Sequence, residues 1–230
     1  MPTLTYQARR GELETYFDRT AAKAWERLTS DAPVSGIRAT VRRGREEMRN
    51  TLLSWLPADL SGRRVLDAGC GTGALAVEAA RRVVAVDISP TLVGLARERA
   101  AGAHGAGRVE FRVGDMLDPD LGRFDHVVAM DSLIHYAPAD VARVLARLAP
   151  RVGATVLFTF APRTPLLAAM HAAGRLFPRG DRAPAIVPVA ESALRRLLAT
   201  EPGLEGFTAR RDRCVSGGFY TSHAMELVRR

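Results

Sequence analysis

The sequence predicts an α/β fold around a mostly parallel sheet, on three observations. The apolar run Arg64 to Ala68 leads into Gly69-Cys70-Gly71-Thr72-Gly73, a turn with glycine at every second position that opens a helical stretch. Such a turn lets the backbone pass close to a ligand without interference from Cβ atoms. Short Val-rich runs then alternate with helical ones, the order that builds parallel strands joined by right-handed crossovers. Two last strand-like runs flank Ser216-Gly217-Gly218 and read as an antiparallel hairpin. Five parallel strands and this hairpin make a seven-stranded sheet.

At 230 residues, 47% hydrophobic and 25% charged, the chain suits one α/β domain with additions. The longest apolar runs are of strand length, far below the roughly 20 residues that a membrane-spanning helix needs. The start, Met1 to Gly11, is polar and lacks an apolar signal core, so a cytoplasmic location is expected. Cys70 lies inside the glycine turn, which argues against a structural disulfide with Cys214. The net charge of +8 is carried by arginine, Lys23 being the only lysine. That bias fits an acidic partner or scattered solvated arginines; no run of five or six like charges marks a nucleic-acid arm.

Gly11 to Leu28 carries Leu13, Tyr16, Phe17, Ala21, Ala24, Trp25 and Leu28 at helical spacing, and Ile37 to Leu56 forms a second amphipathic helix that Pro57 ends. Residues 1–57 therefore read as a helical cap ahead of a core over 58–230. In the core, strands are expected at Arg64 to Ala68, Val83 to Asp87, Val109 to Val113, Asp125 to Met130 and Ala154 to Phe160. Helices are expected at Gly73 to Arg82, Ser89 to Ala100, Ala139 to Leu148 and Glu191 to Ala199, with hairpin strands at Thr208 to Val215 and Phe219 to Val228. Pro162, Pro165, Pro178, Pro184 and Pro188 break this rhythm, so about 161–190 reads as a lid around a short helix, Leu166 to Leu176.

The glycine turn alone also satisfies a dinucleotide fingerprint. Asp67 discriminates, because a carboxylate there repels an incoming pyrophosphate but suits the ammonium and sulfonium of S-adenosylmethionine. Asp87, 20 residues further on, ends the second strand, where a carboxylate accepts two ribose hydroxyls. Asp115 suits an adenine amino group and Met116 the adenine face. Gly69, Gly71, Gly73, Ile88 and Met130 complete the expected cofactor contacts. The closing hairpin makes this Rossmann-like fold resemble class I methyltransferases rather than nicotinamide dehydrogenases. Enzymes that methylate nucleic-acid amino groups carry Pro-Pro-aromatic after the fourth strand; the Asp131-Ser132-Leu133 found here argues against nucleic acid as a partner.

Several further blocks share one family. They are Glu14 to Phe17 with Thr20, Ala24 to Leu28, Val41-Arg42-Arg43-Gly44-Arg45, Met130 to Tyr136, Phe160 to Leu167, and the tail Val215 to Tyr220. Together they resemble magnesium-protoporphyrin IX methyltransferases, of the bacteriochlorophyll-pathway type in photosynthetic bacteria. The resemblance implies methyl transfer from S-adenosylmethionine to a propionate carboxylate of magnesium-protoporphyrin IX, giving the 13-monomethyl ester. It implies no protein-bound metal, since the magnesium arrives in the substrate. It also implies delivery of the porphyrin by the large subunit of magnesium chelatase, and a basic, tryptophan-bearing amino-terminal region suits peripheral contact with the photosynthetic membrane.

His135 is expected beside the nucleophile, with its role open between orienting the propionate, taking a residual proton, binding the substrate magnesium and simple packing. Oxygenic members carry a tyrosine where this chain has Thr29, so Tyr16 is the expected catalytic substitute. Arg38, Arg42, Arg45 and Arg163 are candidates for the second propionate; Tyr16, Phe17, Trp25, Tyr136 and Leu166 to Met170 are candidates for the macrocycle slot. Two alternatives stay open: a methyltransferase of another small carboxylic or phenolic acceptor, and a non-catalytic porphyrin carrier.

Overall fold

Period-two alternation along the core strands sets the architecture. The computed structural model describes residues 3–30, 33–79, 82–102, 109–163 and 185–230. Strands β1 (Arg64–Ala68), β2 (Arg82–Asp87), β3 (Val109–Val113), β4 (Phe124–Ala129) and β5 (Val152–Phe160) pair in parallel. Strands β6 (Phe207–Gly217) and β7 (Tyr220–Arg229) complete a seven-stranded sheet in antiparallel, in the order β3-β2-β1-β4-β5-β7-β6. The winding reverses between β1 and β4, which are direct neighbours with Asp67 opposite Val128. The loops leaving those two strands therefore lie side by side, at the carboxyl edge where open sheets bind ligands.

Successive side chains point to opposite faces of the sheet, so the helices divide into two layers. Leu66, Ala68, Val84 and Val86 pack with α1 (Leu4–Thr15), α6 (Pro138–Leu148) and α7 (Glu191–Thr200). Val65, Val83 and Ala85 pack with α3 (Gly36–Trp55) and α4 (Ala74–Ala79). The amino-terminal helices thus straddle the sheet, α1 on one face and α3 on the other, with α2 (Ala22–Leu28) between them in the chain. Met48 and Leu52 of α3 are fully buried; side chains of this kind each contribute on the order of 2–3 kcal/mol.

The first helix departs from the expected span at both ends. It begins at Leu4 rather than Gly11, because the Thr3 hydroxyl accepts the Tyr6 N–H at 3.1 Å and caps it. It also fails to run on to Leu28, since Tyr16–Thr20 forms a π-helical turn. There Asp18 accepts the Thr91 N–H at 3.0 Å and the Ser89 hydroxyl at 3.2 Å, at the amino end of α5 (Pro90–Ala101). A tertiary contact interrupts a pattern that local spacing made continuous. The helix expected from Gly73 to Arg82 is described over Ala74–Ala79, and Arg82 already belongs to β2; elsewhere the boundaries shift by a residue or two, and the hairpin turn sits at Gly218-Phe219. The expected helix Leu166 to Leu176 and the interior of the 161–190 segment lie outside the described residues. Cys70 and Cys214 are free. Among the described residues no helix is long and apolar enough to cross a membrane.

Candidate active site

Two carboxylates shape one end of a large cavity at the carboxyl edge. Asp67 is 1% exposed, and its Oδ2 has no hydrogen-bond partner among the described residues. Burial first, and the nearby Asp87 second, push its carboxyl up to about 7, against the pull of the Ala76 N–H. A buried, unpartnered carboxylate is costly, so a cation is its natural complement. Asp87 accepts the Gly71 N–H at 2.8 Å and the Ser89 N–H at 2.9 Å; burial raises its carboxyl and these N–H groups lower it. Gly69 has φ +86°, and a Cβ there would run into Ser132, so the β1 and β4 loops touch. Asp67, Gly69, Gly71, Asp87, Ile88, Met116 and Met130 all line the cavity. Such an acid-lined end fits a cationic, sulfonium-bearing nucleotide and opposes a pyrophosphate.

The helices ahead of the core build the rest of the same cavity. Tyr6, Leu13, Phe17 and Trp25 line it, together with His135 and Tyr136 from the β4 loop. Phe17 meets Trp25 edge-on at 5.7 Å and His135 at 5.9 Å, while Tyr6 stacks on Tyr136 at 5.0 Å. Burial drives both tyrosine hydroxyls far above their ordinary pKa, so they stay neutral. His135 is 8% exposed, and its Nδ1 lies 3.4 Å from the Ala185 carbonyl oxygen. Arg9 of α1 donates to the His135 carbonyl at 3.0 Å and to the Ala185 carbonyl at 2.6 Å, tying helix, histidine and chain segment together.

The structure brings Phe17, Trp25, Arg42, Arg45, His135 and Tyr136 to the cavity that the donor residues line. Five other expectations need correcting. Asp115 is not in the lining: its Oδ1 takes the Tyr6 hydroxyl at 2.8 Å and the Leu117 N–H at 2.9 Å, and its Oδ2 takes Arg10 at 3.1 Å. It anchors α1 instead. Gly73 is also off the cavity, where a Cβ would press on Ala96 and Phe111; it serves close packing of helix and sheet. Tyr16 sits half-buried outside the lining, edge-on to Phe17 at 5.2 Å. Arg38 and Arg163 are exposed and away from the cavity.

Arg42 does line the cavity, but gives Nε to the Leu28 carbonyl at 2.9 Å and a terminal nitrogen to the Arg27 carbonyl at 2.8 Å, joining α3 to α2. Sequence reasoning missed Tyr6 and Leu13 as lining residues. Thr3 ahead of Tyr6, Arg9, Arg10 and Leu13 was the available signal, a capping residue followed by helical spacing. It also missed Asp131, which lines the cavity through partners far away in the chain.

A sheet of this order, with an acid-lined cavity end that fits a sulfonium cation, places the chain among the class I S-adenosylmethionine-dependent methyltransferases. Residues 65–152 match the family described as "Methyltransferase domain", and residues 129–229 match "Magnesium-protoporphyrin IX methyltransferase C-terminus". The magnesium-protoporphyrin O-methyltransferase of Rhodobacter capsulatus is 49% identical over 225 residues, covering 96% of this chain and 97% of that protein. The chloroplastic magnesium protoporphyrin IX methyltransferase of Arabidopsis thaliana is 30% identical, covering 93% and 69%. The crystal structure of the magnesium protoporphyrin IX methyltransferase of Synechocystis PCC 6803 with bound SAH matches with a TM-score of 0.83 at 29% identity, covering 96% and 100%. The chain belongs to the magnesium-protoporphyrin O-methyltransferase family.

Proposed function

We propose that this protein transfers a methyl group from S-adenosylmethionine to one propionate of magnesium-protoporphyrin IX, giving the 13-monomethyl ester on the route to (bacterio)chlorophyll. One observation carries the reading: identity of 49% over 225 residues takes in the amino-terminal helices and the hairpin as well as the donor motifs. The donor motifs alone would leave the acceptor open.

A propionic acid with an ordinary pKa near 4–5 is ionised at neutral pH. The chain's task is therefore alignment and exclusion of water rather than deprotonation. S-adenosylmethionine supplies an electrophilic methyl group. Asp67 offers its unpartnered oxygen to a cation, and Asp87 offers its carboxylate to ribose hydroxyls. Phe17, Trp25 and Tyr136 give apolar walls to a flat macrocycle, with His135 among them. A carbonyl can only accept, so the contact with Ala185 keeps a proton on Nδ1 of His135. In this reading the ring holds the propionate by hydrogen bond when protonated, or takes the residual proton of an un-ionised acid.

Residues 1–57 act in this reading as a cap, and about 161–190 as a lid over the acceptor. Exposed Ile37, Arg38 and Arg43 give the cap a basic, partly apolar surface. That surface suits porphyrin collection from the large subunit of magnesium chelatase at the membrane face. Visible-absorption titration with magnesium-protoporphyrin, with and without the methyl donor, tests the function. The expected result is a spectral shift on binding and ester when the donor is present. A shift without ester means a carrier; no shift means another acceptor.

A further inference from the structure

One cluster in the cavity is used by no step above. Asp131 follows β4 with φ +52°, the one non-glycine residue at positive φ among those described. Such a conformation is strained and persists where surrounding structure imposes it. Here three elements do so. The Asp131 Oδ1 accepts the Thr159 and Ser222 hydroxyls, each at 3.1 Å, and Oδ2 accepts Arg45 at 2.5 Å. The Tyr220 hydroxyl reaches both oxygens, at 3.2 and 3.1 Å. With its lone pairs so occupied, this carboxylate has little capacity to bind a ligand or move a proton, and what it can do is aim Arg45.

The sequence around Arg45 is built for that contact. Gly44, in the middle of α3, weakens the helix relative to alanine. A Cβ at that position would run into the Tyr220 ring. The glycine lets α3 sit down on β7, which brings Arg45 to Asp131 and under the cavity wall. The Arg45 guanidinium also lies 4.8 Å from the Trp25 ring centre, which fixes its plane. Among the described residues its one hydrogen-bond partner is Asp131, so further N–H donors of the fork remain for the cavity it lines. Arg42, by contrast, has given two nitrogens to carbonyls. Pairing with Asp131 cancels the long-range charge of Arg45, so a cationic donor can occupy the same cavity without repulsion, while short-range N–H donation survives.

We propose that Arg45, clamped between Asp131 and Trp25, is the cavity's anchor for a ligand carboxylate, and that Asp131 is the positioning residue that aims it. This rests on the methyl-transfer reading, in which both reactants carry a candidate carboxylate: the donor's α-carboxylate and the acceptor's non-reacting propionate.

Two matched ligand pairs separate the sources. Calorimetry compares S-adenosylhomocysteine with 5′-methylthioadenosine, which lacks the amino-acid end. Absorption titration compares magnesium-protoporphyrin with its 17-monomethyl ester, whose spectator carboxylate is blocked. Arg45→Gln should weaken the carboxylate-bearing member of one pair by about 10- to 100-fold and leave its partner unchanged. The affected pair names the source. Arg45→Lys, which keeps charge and bulk but loses the fork, should recover part of the loss and guards against misfolding. Asp131→Asn should weaken the same ligand, and the double variant should lose no more than Arg45→Gln alone.

Unchanged selectivity in both Arg45 variants, with wild-type binding intact, overturns the anchor. Additive losses in the double variant overturn the positioning role of Asp131. A wild-type chain that binds neither S-adenosylhomocysteine nor porphyrin overturns the methyl-transfer reading and the anchor with it.

Discussion

At the donor end of the cavity, Asp67, Gly69 and Gly71 come from one short stretch, and a buried carboxylate oxygen is left without a partner. Elsewhere around the cavity the bracing polar contacts join distant segments. Arg45 meets Asp131 across 86 positions, Tyr220 meets Asp131 across 89, and Tyr6 meets Asp115 across 109. The donor end must complement a fixed ligand, so local geometry and one unmet charge suffice. The rest of the wall is braced by long-range contacts, which local geometry cannot supply.

The sharpest way to break this contrast is Gly69→Ala. Its Cβ would strike Ser132 at φ +86°. We expect a destabilisation of about 2–4 kcal/mol, a fall in Tm of roughly 5–10 °C, and loss of measurable S-adenosylhomocysteine binding by calorimetry. Retained binding would show that the touching loops are not what shapes the donor end. Next in size is His135→Ala, for which we expect turnover to fall about 100-fold with donor affinity intact. An equal fall in donor affinity would move His135 to the donor half.

The Asp67 carboxyl, raised to about 7, gives a pH test. Below that value the free protein holds Asp67 protonated, so binding a cationic donor must release a proton. Affinity should rise with pH up to about 7, by at most about tenfold per unit, and Asp67→Asn should flatten the profile. In the ligand-free protein the sign is opposite. A raised carboxyl favours folding at low pH, and that contribution is lost as pH rises from near 4 through about 7. Asp67→Asn should therefore melt higher than wild type at pH 8, as differential scanning calorimetry would read. The smallest effect sits in the Asp131 cluster: Tyr220→Phe removes one donor from Asp131 and should cost about 1 kcal/mol. A shift in Tm of more than about 8 °C would mean the bracing is more cooperative than its separate hydrogen bonds.

Legibility followed the same divide. The strands, the crossover helices and the hairpin were readable because alternation and turn residues are local signals. Asp67 and Asp87 were readable because charge at the end of a strand has few structural uses. Asp115 misled for a related reason: its position suits adenine, but Tyr6 and Arg10 arrive from a helix whose start the spacing had placed too late. Arg38, Arg42, Arg45 and Arg163 looked alike as a set of arginines, and burial and partners separate them. Tyr16 and Gly73 were off the cavity because a π turn and a packing contact, neither visible in the spacing, set where they point.

The sequence by itself determined the sheet and the glycine loop with Asp67 beside it, since each depends on neighbours a few residues apart. The tertiary structure alone decided that α1 and α3 straddle the sheet, that Asp115 holds a helix rather than lining the cavity, and that Arg45 is the cavity-lining arginine paired with Asp131. Those outcomes depend on which distant groups reach a carboxylate first, and a carboxylate has only two oxygens to give.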